Sequence, residues 1–240
     1  MFDKRKQYSY KAQKHHRYKL LKVTLICLSF FIVYNCLTAF FFSVWSVESN
    51  SMQPGLTAGD RVIFSSFMIR WNRSNTEDNP YNFKRGSIVL IDKGHFYEKK
   101  LPLQIIDGIV RFFTLQKVSI FSGDGQYYVK RVIAFPGDEI SMTDYIFRVK
   151  TAGNSFSLTE FELADRPYHP AIPQVPALWD DSLPFSGNMD PVILGPDEFF
   201  VISDDRSNTN DSRTWGAVSS LMLTARAVVR FWPFNKIEFL

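Results

Sequence analysis

A short serine-containing segment near the N-terminal third of the chain has the composition of a rigid loop that presents hydroxyl groups. It reads Ser49-Asn50-Ser51-Met52-Gln53-Pro54-Gly55-Leu56. One residue separates the two serines, and the Pro-Gly pair that follows favours a tight turn. A hydroxyl in such a turn can attack a carbonyl carbon if a neighbouring base accepts its proton. Alone, the segment fits a polar turn equally well, so the interpretation depends on finding a base.

Two adjacent basic residues, Lys130 and Arg131, interrupt the otherwise apolar run Tyr127–Ala134, which is predicted to be a strand. Neighbouring strand residues point to opposite faces, so one of the two must face a buried side or a cleft. Burial disfavours the ammonium and lowers the pKa of a lysine. That lowering is needed, because only about one free lysine in 2,500 is neutral at pH 7. Arginine stays protonated, so Lys130 is the candidate base and Arg131 its structural partner.

A polar loop over residues 203–216 follows the next predicted strand and is dense in groups that bond to one another. Asp204 and Asp205 lie beside Arg206, and Asp211 lies two residues before Arg213. Such a network can hold a catalytic cleft rigid. None of the three segments contains a histidine. A Ser-His-Asp triad is therefore disfavoured, and a serine with a lysine base is a known alternative.

The N-terminal part of the chain has the charge pattern of a membrane anchor. Residues 1–22 carry eight basic residues and one acid, a net +7 against +4 for the whole chain, which leaves −3 for the rest. This gives no support for a nucleic-acid partner. Residues 23–45 contain no formal charge and are long enough for a transmembrane helix in membrane lipid. The basic flank places the tail 1–22 in the cytoplasm and residues 46–240 outside. A cleavable signal peptide is the alternative, but no small-x-small site follows.

The part beyond the anchor is predicted to be mainly β, with antiparallel sheets and loop or sub-domain insertions. Short apolar runs predict seven strands: Asp60–Ser65, Gly86–Asp92, Tyr127–Ala134, Glu139–Met142, Tyr145–Val149, Glu198–Ile202 and Thr224–Trp232. The insertions are residues 67–83, 93–122 and 151–197, the last predicted to be irregular loops or a small sub-domain. An amphipathic stretch, 103–113, fits packing on the core or lying on the membrane surface. Cysteine and histidine spacing suggests neither a disulfide framework nor a metal site.

These three segments resemble the sequence boxes of the bacterial type I signal peptidases, the leader peptidases with a Ser/Lys dyad. Residues 49–56 match a Ser-x-Ser-Met-x-Pro-x-Leu box that follows a membrane segment. Residues 127–138 match Tyr-x-x-Lys-Arg-x-x-x-x-Pro-Gly-Asp at every fixed position. The third box, Gly-Asp-Asn-Arg-x-Asn-Ser-x-Asp-Ser-Arg, is matched at six positions from Asp204 to Arg213. The resemblance covers the chain from the anchor to the last residue, apart from the insertions, and implies a partly barrel-like catalytic domain.

The resemblance implies a role for each matched residue. Ser51 would be the nucleophile and Lys130 the general base, while the Ser51 N–H and the Ser49 hydroxyl would form the oxyanion hole. Four residues would line pockets that accept small side chains of the substrate: Met52, Leu56, Tyr128 and Val129. The supporting network would consist of Arg131, Thr209, Asp211 and Arg213.

The sequence departs from the family pattern at three positions of the third box. Thr209 stands where many members have a serine that bonds the lysine, and we expect its hydroxyl to keep that bond. Ser203 replaces a glycine, and Asp205 replaces an asparagine. A carboxylate at residue 205 that came near Lys130 would raise the pKa of the lysine and hinder its action as a base.

The function implied by the resemblance is removal of signal peptides from exported precursors on the outer side of the bacterial plasma membrane. It requires no metal and no cofactor. Two alternatives remain open: a catalytically inactive relative that binds precursors, and a self-cleaving Ser/Lys protease of the repressor type. The anchor argues against the repressor type, and the presence of both Ser51 and Lys130 argues against the inactive relative.

Overall fold

The computed structural model describes residues 10–40, 42–66, 83–93, 110, 127–173 and 187–240. Most of the insertions at 67–83 and 93–122, and the amphipathic stretch 103–113 apart from Val110, therefore lie outside the described residues. The chain divides into two compact units, Met1–Phe41 and Phe42–Leu240.

The first unit contains one long helix, α1, which spans Tyr10–Phe40. The predicted transmembrane segment, 23–45, therefore includes the second half of α1 and most of a strand, β1 (Phe42–Ser46). Trp45, the last residue of the predicted segment, pairs with Val62 in a sheet. The aromatic and β-branched side chains of β1 suit a strand as well as an apolar helix, so hydropathy alone does not separate the two. Among the described residues, no helix combines the length and apolar character needed to cross a membrane.

The second unit is built on an eight-stranded antiparallel sheet. Its strands are β1, β2 (Arg61–Ser65), β3 (Ile88–Asp92), β4 (Tyr127–Ala134), β9 (Glu198–Ile202), β10 (Val218–Ser219), β11 (Leu223–Trp232) and β12 (Glu238–Phe239). They lie in the order β1-β2-β11-β3-β4-β9-β10, with β12 paired to β11. The end strands of this path, β1 and β10, do not pair, so the predicted partly barrel-like sheet is open in the described part of the chain.

A smaller antiparallel sheet of four strands lies within the same unit. Its strands are β5 (Glu139–Thr143), β6 (Ile146–Lys150), β7 (Leu158–Thr159) and β8 (Met189–Ile193), in the order β7-β6-β5-β8. A one-turn helix, α2 (Glu160–Leu163), follows β7, with Thr159 as its N-cap. Two of these strands belong to the insertion 151–197, so the described part of that insertion has regular structure.

The mainly antiparallel β prediction is confirmed, and all seven predicted strands are present within two residues of their expected bounds. Apolar side chains from both sheets share one core cluster, in which Ile133 and Ile202 of the large sheet lie with Ile140 and Phe147 of the small one. The two sheets are therefore packed together, and this packing holds β4 and β9 rigid where the candidate site lies.

Candidate active site

Ser51 lies in a tight turn that is anchored in the core on both sides. The Leu56 N–H donates to the Met52 carbonyl at 2.8 Å, and both side chains are fully buried among residues of β2, β3 and β11. Ser51 itself is 5% exposed. Its Oγ lies 3.0 Å from the Ser49 Oγ, within hydrogen-bond distance. The turn therefore fixes two hydroxyl groups side by side.

The backbone of Ser51 leaves one donor available. Its carbonyl oxygen accepts a hydrogen bond from the Asp205 N–H at 3.0 Å. Its own N–H donates to no acceptor among the described residues. A free N–H in the same turn as the Ser49 hydroxyl could help to bind a developing oxyanion.

Lys130 lies in the middle of the large sheet and is only 2% exposed. Its Nζ donates to the Ser203 Oγ at 2.8 Å, and Ser203 is fully buried. The register explains this contact. β4 pairs with β9 so that Arg131 is opposite Ile202, which puts Ser203, one residue past the end of β9, opposite Lys130. Side chains directly opposite one another in an antiparallel pair are close enough to interact.

The surroundings of Lys130 increase the fraction of its neutral form. Burial is the largest influence and lowers the pKa of Lys130 to about 8. The carboxylates of Asp211, Asp204 and Asp205 raise it in part, and the Arg213 guanidinium lowers it. The predicted influence of Asp205 is therefore present, although it is the smallest of these. With a pKa of about 8, roughly a tenth of the lysine is neutral at pH 7, against about one in 2,500 for a free lysine.

Arg131 is also buried, at 7% exposure. Both faces of β4 are covered at this point, and a carboxylate compensates the charge of the arginine. The Arg131 Nε and Nη2 donate to the two oxygens of Asp204 at 2.7 and 2.6 Å. This bidentate ion pair fixes the loop that starts after β9.

A second ion pair supports the same loop from its far end. Arg213 donates from Nε and Nη2 to the two oxygens of Asp211 at 2.9 and 2.7 Å. Asp211 caps the short helix α3 (Ser212–Trp215) and accepts a hydrogen bond from the Ser203 N–H at 2.9 Å. The Asp211–Arg213 pair thus holds the backbone of the residue that bonds Lys130.

The expected hydrogen bond from Thr209 to Lys130 is absent, and this prediction was wrong. Within the described residues, the Thr209 hydroxyl has no hydrogen-bond partner. The backbone carbonyl of Thr209 accepts hydrogen bonds from the Asp211 N–H and the Thr214 hydroxyl. The hydroxyl that Lys130 uses comes from Ser203, which the sequence marked only as a departure from the family pattern. The sequence shows only that Ser203 directly follows a predicted buried strand. The register that aligns Ser203 with Lys130 is not visible from the sequence.

The predicted substrate-contacting residues differ in exposure. Met52 and Leu56 have no accessible surface and pack in the core. Tyr128 and Val129 are half-buried and keep surface that a peptide could contact. Tyr128 also packs on Trp215, with ring centroids 4.8 Å apart. The contact of these residues with substrate stays a prediction.

Ser51 and Lys130 are brought into one region without a direct hydrogen bond between their side chains. Val129 packs against the cluster that contains Met52, and the Asp205 N–H bonds the Ser51 carbonyl two residues after Ser203. Each of the two side chains is hydrogen-bonded to another serine instead. Catalytic hydrogen bonds are often long in a free enzyme and shorten when substrate binds.

Comparisons with known proteins agree on one family. The family described as signal peptidase, peptidase S26, matches residues 19–232. The chain is 30% identical over 194 residues to a probable signal peptidase I-2 from Synechocystis sp., which covers 81% of this chain and 65% of that protein. It is 26% identical to signal peptidase I P from Bacillus subtilis subsp. natto, over 99% and 98% of the two chains. It is also 22% identical to an inactive signal peptidase IA from Staphylococcus aureus, over 79% of each chain.

Proposed function

We propose that this chain removes signal peptides from exported precursor proteins. The chain is a serine peptidase and belongs to the family of type I signal peptidases (peptidase S26). The main support for a Ser/Lys mechanism is the state of Lys130. It is 2% exposed, and in the described part of the chain its Nζ bonds a neutral hydroxyl and no carboxylate. A buried lysine without an ion pair favours the neutral amine, which is the form that can act as a base.

In the proposed acylation step, the Ser51 Oγ attacks the carbonyl carbon of the scissile peptide bond, and the neutral Lys130 Nζ accepts the hydroxyl proton. The carbonyl oxygen becomes an oxyanion that accepts hydrogen bonds from the Ser51 N–H and the Ser49 hydroxyl. When the C–N bond breaks, the Lys130 ammonium gives its proton to the leaving amine. The products are the free mature protein and a signal peptide esterified to Ser51.

In the proposed deacylation step, Lys130, neutral again, accepts a proton from a water molecule that attacks the ester carbon. The ester bond to Ser51 breaks, and Lys130 returns the proton to the Ser51 Oγ. The signal peptide leaves with a new carboxylate, so one water is consumed for each bond cut. The cycle uses no group outside the chain apart from water.

The proposal is tested by incubating the purified full chain, in detergent, with a precursor that has an Ala-x-Ala site. We expect one cut directly after the second alanine, located by mass spectrometry. A precursor with leucine at that alanine should stay intact, because the proposed pockets accept small side chains. Binding of the Ala-x-Ala precursor without cleavage would instead support the inactive-relative alternative, for which the Staphylococcus aureus protein is a precedent.

The proposed location is the plasma membrane, with α1 in the anchor and the second unit on the outer side. Large apolar side chains on α1 support this. Leu25, Ile26 and Phe30 are 55%, 58% and 65% exposed. Exposed apolar side chains are stabilised when apolar surroundings replace water. In alkaline carbonate extraction we expect the full chain to stay in the membrane pellet, and its release into the supernatant would contradict the anchor.

The pH dependence of cleavage follows from the lowered pKa of Lys130. The base must be neutral, so kcat/KM should rise with pH and reach half of its maximum near pH 8. Replacing Asp205 with asparagine removes a charge that raises the pKa of Lys130, so the rising limb should move to lower pH. Asp144→Asn, in the exposed turn between β5 and β6, is the matched control and should leave the profile unchanged. A rising limb above pH 10 would contradict a desolvated lysine base.

A further inference from the structure

Lys130 is hydrogen-bonded to a hydroxyl other than the one expected at residue 209. The ladder between β4 and β9 places Ser203 directly across from Lys130, and the two side chains are hydrogen-bonded at 2.8 Å. Both are buried, at 0% and 2% exposure. Water therefore does not compete for this bond, and a lysine side chain with four rotatable bonds is restrained at its end.

Ser203 is itself held in place from two sides. Its N–H donates to Asp211 at 2.9 Å, and Asp211 is fixed by Arg213. Two residues further on, the Asp205 N–H bonds the Ser51 carbonyl at 3.0 Å. One short segment therefore touches the general base through a side chain and the nucleophile's residue through its backbone, so it can set the distance between them.

We propose that Ser203 is the positioning residue for Lys130 in this chain and that it replaces the hydroxyl at residue 209 in that role. This inference rests on the proposed function for its effect on cleavage, but the lysine–serine contact can be tested without catalysis. The Ser203 Oγ accepts from Nζ and so restrains the end of the lysine side chain. Loss of the acceptor frees the amine to rotate and removes a hydrogen bond that favours the ammonium.

The charged groups around Lys130 influence its pKa, so a comparison of its titration between variants requires that these charges stay the same. The loop that follows β9 contributes the carboxylates of Asp204, Asp205 and Asp211 and the guanidinium of Arg213. From β4 and the end of β3, the charges are Arg131, paired to Asp204, and Lys93, which like Lys130 lies over the Trp215 ring. Ser203→Ala changes none of these charges, so a shift in the titration of Lys130 would come from the lost hydroxyl.

The test compares Ser203→Ala with the matched control Thr209→Val in the full chain. The first readout is the midpoint of the Lys130 side-chain NMR titration, with the resonance assigned by its loss in Lys130→Ala. We expect the midpoint to fall in Ser203→Ala and to stay in Thr209→Val. The second readout is cleavage of the Ala-x-Ala precursor. We expect kcat/KM to fall on the order of a hundredfold in Ser203→Ala, with little change in KM, and to stay within about twofold in Thr209→Val.

Ser203→Thr keeps a hydroxyl and should restore most of the lost rate, provided that its melting temperature matches that of the wild type. An unchanged Lys130 midpoint in Ser203→Ala would overturn the proposal, as would a loss of rate in Thr209→Val that matches that of Ser203→Ala. If the wild type fails to cleave any precursor, the proposed function fails, and the NMR midpoints still decide whether Ser203 bonds Lys130.

Discussion

Replacing Lys130 with alanine should lower kcat/KM for an Ala-x-Ala precursor by about 10³-fold or more, and Ser51→Ala should lower it as much. The proposed cycle uses the Lys130 amine in four proton transfers, and a positioned general base contributes on the order of 10² to 10⁴ in rate. None of the other described lysines combines such burial with the absence of an ion pair. With the amine gone, the Ser51 hydroxyl has no group to accept its proton.

The control for this loss is Lys150→Ala. Lys150 lies in β6, where its exposed side chain pairs with Glu139 at 3.3 Å. Its removal should leave kcat/KM within about twofold, because exposed ion pairs contribute little. Far-ultraviolet circular dichroism and melting temperatures of the variants would separate loss of the base from loss of the fold. A Lys130→Ala enzyme that is folded and retains cleavage near the wild-type rate would contradict the mechanism.

Replacing Glu160 with glutamine should destabilise the chain by about 3–5 kcal/mol, the typical cost of leaving one member of a buried ion pair unpaired. The Glu160 Oε2 accepts from the Arg206 Nη2 at 2.6 Å, and both side chains are completely buried. Oε2 also accepts from the Tyr168 hydroxyl, and Oε1 accepts from the Phe147 N–H at 3.3 Å. Among the residues that the structure describes, the Arg206 Nε and Nη1 have no hydrogen-bond partner, so Glu160 is the group that compensates this guanidinium.

The matched control is Glu139→Gln, which breaks an ion pair whose side chains are 44% and 37% exposed. It should change the free energy of unfolding by less than about 1 kcal/mol. Urea unfolding of the full chain in detergent, followed by tryptophan fluorescence, would measure both variants. Equal unfolding midpoints for Glu160→Gln and the wild type would show that the buried charge of Arg206 is compensated in another way.

The Glu160–Arg206 pair also connects the small sheet to the candidate site. Glu160 starts α2, next to β7, whereas Arg206 directly follows Asp205, whose N–H bonds the Ser51 carbonyl. The Arg206 carbonyl accepts in turn from the Arg213 Nη1 at 2.8 Å. We therefore expect the loss of stability in Glu160→Gln to begin in the loop that positions Ser203 and the Ser51 turn.

The sequence predicted the strands that alternate or contain unbroken β-branched runs, because those patterns reflect burial directly. It missed β8 because Met189-Asp190-Pro191-Val192-Ile193 contains a proline, which argues against a central strand. In the described part of the chain, β8 is an edge strand that pairs only with β5, and an edge position tolerates proline. The strand β1 was missed for another reason, since its apolar residues continue the run predicted to span the membrane.

The chemistry of the site was more visible in the sequence than its geometry. Lys130 was predicted as a base from its residue type, its place in a strand and the missing histidine, and its depressed pKa agrees with that interpretation. The role of Ser51 as nucleophile was implied by the resemblance to the type I signal peptidases. The partners of these residues depend on contacts that spacing does not encode. Ser203 lies opposite Lys130 only through the register of β4 and β9. Glu160 and Arg206 are 46 residues apart, and nothing local identifies the glutamate as buried.

The most direct test of the Ser51/Lys130 dyad is an experimental structure of the full chain with a bound peptide aldehyde that ends in Ala-x-Ala. An aldehyde carbon accepts a serine oxygen and forms a hemiacetal that resembles the tetrahedral intermediate. We predict a covalent bond from the Ser51 Oγ to that carbon, with the Lys130 Nζ within about 3.2 Å of the same Oγ. The hemiacetal oxygen should lie about 2.7–3.1 Å from the Ser51 N and the Ser49 Oγ. A hemiacetal on another residue, or a Lys130 Nζ beyond hydrogen-bond distance of Ser51, would contradict the mechanism.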